Sequence, residues 1–84
     1  MLENWSLTNH IISRIAKREL STEIIETVLN EPDNIVSGKY GRKIYQKIIE
    51  GKLIRIVTEG NTLLTIYSTD KIKKYVNNPP HNEG

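Results

Sequence analysis

Thr8-Asn9-His10-Ile11-Ile12-Ser13-Arg14-Ile15-Ala16-Lys17-Arg18 is the stretch from which the rest of the chain is read. At about 100° per residue, His10, Arg14 and Arg18 fall in one line at i, i+4 and i+8, with Lys17 beside them. Ile11, Ile12, Ile15 and Ala16 take the other side, so the segment predicts an amphipathic helix. Thr8 is suited to the N-cap, and Leu7 before it can staple onto Ile12. Three cations and a histidine on one short face suit an anion such as RNA phosphate; the competing reading of a polar helix face is plain solvation.

Working outward, a second helix is expected from Ser21 to about Asn30. Ser21 is its N-cap, Glu23 and Glu26 lie near its positive end, Leu20 can staple onto Ile25, and Ile24, Ile25, Val28 and Leu29 repeat at the helical period. Pro32 ends it, because proline disfavours helix at the preceding residue and donates no hydrogen bond. The short link Glu19-Leu20 predicts a helical hairpin.

From Asn34 onward the pattern changes to strands: Ile35-Val36-Ser37, then Lys43 to Ile49, Lys52 to Thr58 and Thr62 to Ser68, rich in Ile, Val, Leu, Thr and Tyr. Glu50-Gly51 and Glu59-Gly60-Asn61 are short glycine-bearing connections, which imply an antiparallel meander. By alternation Ile54 and Ile56, with Leu64 and Ile66, should meet the helices. Arg55, Thr65 and Tyr67 then lie on the far face, which apolar neighbours suggest is partly covered. Trp5 is expected either to fold back over the core or to take part in an interface, and a homodimer is one way to cover it. The expected architecture is α+β: two N-terminal helices packed on a four-stranded antiparallel meander sheet. Residues 1–76 form one domain, and 77–84, with Pro79-Pro80 and no large apolar side chain, form a disordered tail.

Eighty-four residues leave room for one small domain. The absence of cysteine excludes disulfides and thiolate zinc sites and fits a reducing cytoplasm, and two histidines make a metal site improbable. No signal peptide or membrane span is expected. The net charge of +2 says little alone, but its distribution is uneven. Between Asn34 and Val57 only Glu50 is negative, whereas Glu19, Glu23, Glu26, Glu31 and Asp33 cluster earlier. If the basic segments converge, the molecule has a cationic side suited to nucleic acid.

Helix, helix and small antiparallel sheet, with a histidine and two arginines spaced by four, resemble a bacterial family catalogued as domain of unknown function 4258. The resemblance runs from Leu7 to about Tyr75. It is carried by Leu7-Thr8-Asn9-His10, Arg14, Arg18, Leu20-Ser21 and Glu31-Pro32, then by Arg55-Ile56-Val57 and Thr65-Ile66-Tyr67-Ser68-Thr69. Glu19 departs from the family pattern, which usually has glycine after the second arginine. Such proteins look like relatives of the BrnT and RelE toxins of the barnase/EndoU/colicin/RelE group.

The resemblance implies a toxin-like, metal-independent endoribonuclease of the mRNA interferase type. Its substrate would be mRNA or ribosome-associated RNA, its keeper a cognate antitoxin, and it would need no cofactor. The alternative is a non-catalytic RNA- or protein-binding adaptor on the same scaffold. RNA carries its own nucleophile, the 2′-hydroxyl, so the chemistry needs a base, an acid and cations on the phosphorane. His10 is the candidate acid or base, Arg14 and Arg55 the phosphate-stabilising guanidiniums, and Tyr67 a proton donor or a platform for a base. Lys17, Arg18, Arg42, Lys43, Lys71 and Lys74 are the candidate RNA-binding cations. Against this, Arg14 and Arg18 could simply pair with the acidic helix, each pair worth about 1 kcal/mol or less. Arg55 in mid-strand is harder to explain structurally, because a charge there costs stability unless it is paired or used.

Overall fold

The computed structural model describes residues 2–73, so the expected tail 77–84 and the candidate Lys74 lie outside the described residues. The chain is α+β, as expected, with two helices on a sheet. Helix α1 spans Asn9–Ala16, and Thr8 caps it, accepting from the Ile11 backbone N–H at 3.3 Å. Its end differs from expectation. Lys17 is the C-cap, Arg18 takes a left-handed φ of 66°, and the Glu19 N–H closes back onto the Arg14 carbonyl at 2.8 Å. Arg18 thus occupies a position that favours glycine, at a backbone cost of about 1 kcal/mol. The line from His10 through Arg14 therefore stops before Arg18, which lies beyond the helix. The apolar side is also narrower than its periodicity suggests: Ile11 is buried and Ile15 half-buried, but Ile12 and Ala16 are exposed.

Helix α2 spans Thr22–Asn30. Ser21 accepts from the Ile24 N–H at 3.4 Å, Glu23 lies in the first turn, and Ile25, Val28 and Leu29 are buried. Ile24, expected in the buried stripe, is exposed.

The sheet has five strands rather than four and is mixed rather than wholly antiparallel, in the order β1-β5-β4-β3-β2. The extra strand is the lead-in: β1, Ser6–Leu7, runs parallel to β5, Thr62–Thr69. Trp5 explains it, because its ring meets Tyr45 edge-on at 5.9 Å and packs on the core, which draws Ser6 and Leu7 alongside β5. Strands β2 (Asn34–Ser37), β3 (Lys43–Ile49) and β4 (Lys52–Glu59) complete the expected meander. Ile49 pairs with Lys52 across Glu50 and Gly51, both at positive φ (53° and 81°), the two-residue turn that matches strand twist. Asp33 pins the start of β2: its carboxylate accepts from the Ile48 N–H at 2.8 Å and lies 3.5 Å from the Lys47 Nζ.

Between β4 and β5 the register shifts. Val57 pairs with Thr65 but Thr58 with Leu63, leaving Leu64 as the extra residue of a bulge. Leu63 therefore joins Ile66 on the helix side, where strict alternation had put Leu64. The core is Ile11, Ile25, Val28 and Leu29 from the helices against Ile56, Leu63 and Ile66 from the sheet. Each such burial contributes roughly 1.5–3 kcal/mol.

Candidate functional site

Ile56 faces the core, so its neighbour Arg55 points to the sheet's other face, as alternation predicts, and there it is only 9% exposed. It does not stand alone. Asn34 pairs with Gln46, Gln46 with Arg55 and Arg55 with Tyr67, so four polar residues lie side by side across β2, β3, β4 and β5. The Arg55 Nε donates to Gln46 Oε1 at 2.6 Å, and Gln46 Nε2 donates to Asn34 Oδ1 at 2.8 Å. At the other side Arg55 Nη1 donates to the Tyr67 hydroxyl oxygen, with the guanidinium carbon 5.5 Å from the ring centroid. Gln46 is fully buried, Leu53 on the same face is too, and Tyr67 remains 37% exposed.

Around the edge of β5 lies the second half of the site. Only Thr62 and Leu63 are paired with β1, so beyond them this edge carries no strand among the described residues. Arg14 reaches the edge from α1: its Nη1 donates to the Ile66 carbonyl at 2.9 Å, and its Nε lies 3.4 Å from the Glu19 carboxylate. Arg14 and Glu19 then share a cleft of about 170 Å³ with Tyr67 and Ser68 of β5, Ser21 before α2, and an apolar wall of Leu20, Ile24, Ile25, Ile54 and Ile66. Arg14, Glu19 and Tyr67 thus border one concave surface between the two helices and the sheet edge, while the Tyr67 hydroxyl itself is turned to Arg55 on the other face of the sheet.

Of the residues singled out in the sequence, this cleft brings together Arg14 and Tyr67, and Arg55 is attached through Tyr67. His10 is not brought in. It is exposed at the second residue of α1, in the helix layer, while Arg55 occupies the face of the sheet turned away from the helices. Among the described residues the candidate RNA-binding cations do not form one patch. Lys43 pairs with Thr58 and Leu53 with Thr69, so Arg42 and Lys43 lie about 17 Å along β4 from the end of the sheet that leads to Lys71. Arg42 is 3.4 Å from the Glu59 carboxylate and sits over the Tyr40 ring. Lys17 and Arg18 are exposed at the C-terminal end of α1. Lys47 and Lys52 face Asp33 and Asp70 at 3.5 and 3.6 Å.

Glu19, Gln46 and Asn34 were not among the sequence candidates. Gln46 could have been found from the turn: Gln46 and Arg55 each lie three residues from the Ile49/Lys52 pair that flanks Glu50-Gly51, and a two-residue turn pairs such positions directly. No comparable signal marks Glu19, whose place in the cleft depends on the early end of α1. Among the described residues no group of three or more His, Asp or Glu comes together as metal ligands would, and no helix is long and apolar enough to cross a membrane. Comparison with protein-family models, with curated proteins and with solved structures returned no match.

Proposed function

We propose that the chain is a toxin-like, metal-independent endoribonuclease that cleaves mRNA or ribosome-associated RNA by attack of the 2′-oxygen on the adjacent phosphate. The observation that carries this reading is the meeting of Arg14, Glu19 and Tyr67 in one cleft at the β5 edge. In it the Glu19 carboxylate takes the 2′-hydroxyl proton as the oxygen–phosphorus bond forms. Arg14 then neutralises the charge on the phosphorane oxygens, and Tyr67 delivers its proton to the 5′-oxygen as that bond breaks. Tyr67 is suited to giving a proton: arginine has donors only, so its oxygen accepts from Arg55 and its own O–H is left to point elsewhere. The apolar wall suits a base beside the scissile phosphate. A cognate antitoxin would act by covering this cleft.

Purified protein is to be incubated with RNA in EDTA, with and without ribosomes. Cleavage is expected, falling about 100-fold or more in Tyr67→Phe and in Glu19→Gln, since a positioned acid or base is worth that much. His10→Ala should cost less than either. Absence of cleavage from every RNA tested removes the proposal. One observation favours a second reading, a non-catalytic binding module: the Arg14 guanidinium is already engaged by the Ile66 carbonyl and Glu19. A stable complex with RNA or protein, unchanged by Tyr67→Phe and Glu19→Gln, would favour that module over the enzyme.

A further inference from the structure

We infer that Asn34, Gln46, Arg55 and Tyr67 act as one directional hydrogen-bond chain, and that Gln46 is a positioning residue that fixes, through Arg55, where the Tyr67 hydroxyl points. The inference rests on the endoribonuclease reading for its functional half and on geometry alone for its structural half. The direction follows from what each group can do. Arginine donates at every nitrogen, so the group facing its Nε must be the amide oxygen of Gln46, as observed at 2.6 Å. That leaves the Gln46 NH2 on the other side, where it meets the Asn34 side-chain oxygen at 2.8 Å. Asn34 is in turn forced to present its own NH2 outward. On the far side of Arg55 the Tyr67 oxygen accepts, and its proton is turned out as well. One central cation therefore sets the sense of every bond, and both outer residues of the chain present donors.

The backbone makes the arrangement rigid. Each neighbour is a directly opposed pair in the ladder, so the four side chains share one row across four strands. Gln46 is 0% exposed and Arg55 9%, so water offers little substitute for a lost partner. A guanidinium gripped at its Nε by a buried amide has little freedom to rotate, and its Nη1 then holds the hydroxyl of Tyr67, a residue that also borders the cleft. Gln46 touches neither the cleft nor the substrate; it acts by way of Arg55.

The test has two arms on the full chain. In the first, side-chain NMR follows the Arg55 Nε–H and the Tyr67 ring. The Arg55 Nε–H should exchange with solvent at least about tenfold more slowly than that of the exposed Arg18, because it is buried and bonded. Gln46→Leu should abolish that protection and shift the Tyr67 ring signals, whereas Gln46→Glu, which keeps an acceptor for Nε, should restore both. An unprotected Arg55 Nε–H in the wild type, or Tyr67 signals unmoved in a folded Gln46→Leu, overturns the chain. In the second arm, Gln46→Leu should lower kcat for RNA cleavage about tenfold with KM within about twofold, as loss of a group acting only in the transition state does. Gln46→Glu should recover most of it, and Gln46→Leu should add little to Tyr67→Phe. Equal losses in Gln46→Leu and Gln46→Glu, or full additivity with Tyr67→Phe, overturn the positioning role. Wild-type protein inert on RNA would end the nuclease reading while the NMR arm still decides the chain.

Discussion

On the helix-covered face of the sheet, Ile56, Leu63 and Ile66 meet Ile11, Ile25 and Val28; on the opposite face Asn34, Gln46, Arg55 and Tyr67 lie in one row beside the buried Leu53. The first face is held by non-directional burial, where any side chain of similar volume does nearly the same work. The second is held by donors matched to acceptors, where a side chain of similar shape and different chemistry leaves its neighbours unsatisfied. One set of strands therefore carries a tolerant surface and an intolerant one, separated by single-residue alternation. The row on the intolerant face ends at Tyr67, on the edge of β5 that borders the cleft.

That contrast can be broken at two positions, and two further positions measure what lies outside both faces. The largest effect should come from Ile56→Ala, where a fully buried side chain is cut back and a cavity left, at a cost of about 3 kcal/mol in urea unfolding. Ile56→Val at the same place should cost only about 1 kcal/mol, the mark of a face that reads volume. Gln46→Leu comes next, at about 2 kcal/mol, although it leaves a side chain of comparable bulk. It strands the Arg55 Nε and the Asn34 oxygen in a dry setting. A cost below that of Ile56→Val would erase the distinction between the faces.

Arg18→Gly should stabilise by about 1 kcal/mol, by relieving the left-handed backbone beyond α1. It removes neither face's contacts and so measures the turn alone. The smallest effect concerns Asp33, at the junction of β2 and β3, and appears only in acid. The Ile48 N–H on its carboxylate, with Lys47 beside it, holds its pKa below the ordinary 3.8. Its contribution is therefore present above the ordinary value and lost as pH falls through the lower folded one. Melting temperature followed downward from pH 5 should fall in the wild type by more than in Asp33→Asn. Parallel curves would show that the carboxylate contributes nothing there.

How much of this was legible beforehand varies from element to element. The caps Thr8 and Ser21, the stop at Pro32, the Glu50-Gly51 turn and the placement of Arg55 and Tyr67 away from the helices follow from rules acting within a few residues. The early end of α1, the parallel β1 and the Leu64 bulge do not. Leu63 and Ile66 cannot share a face by alternation, and only the core they both enter selects the bulge that lets them do so. Tyr67 would not lie opposite Arg55 without it. Glu19 was noted in the sequence as a departure from a family pattern and is found in the cleft, where its distance from Arg14 depends on Arg18 turning the chain.

The sequence by itself determined the two helices, the antiparallel meander and the alternation that turns Arg55 away from the core, because caps, turns and the period of apolar residues are local. Only the tertiary structure decided that His10 and Arg55 would be kept apart, that Arg14 would close on the edge of β5 beside Tyr67, and that Gln46 would hold the guanidinium. Those outcomes depend on which residue ends a helix and where one strand gains an extra residue. Both are settled by long-range packing, to which no short stretch of chain is sensitive.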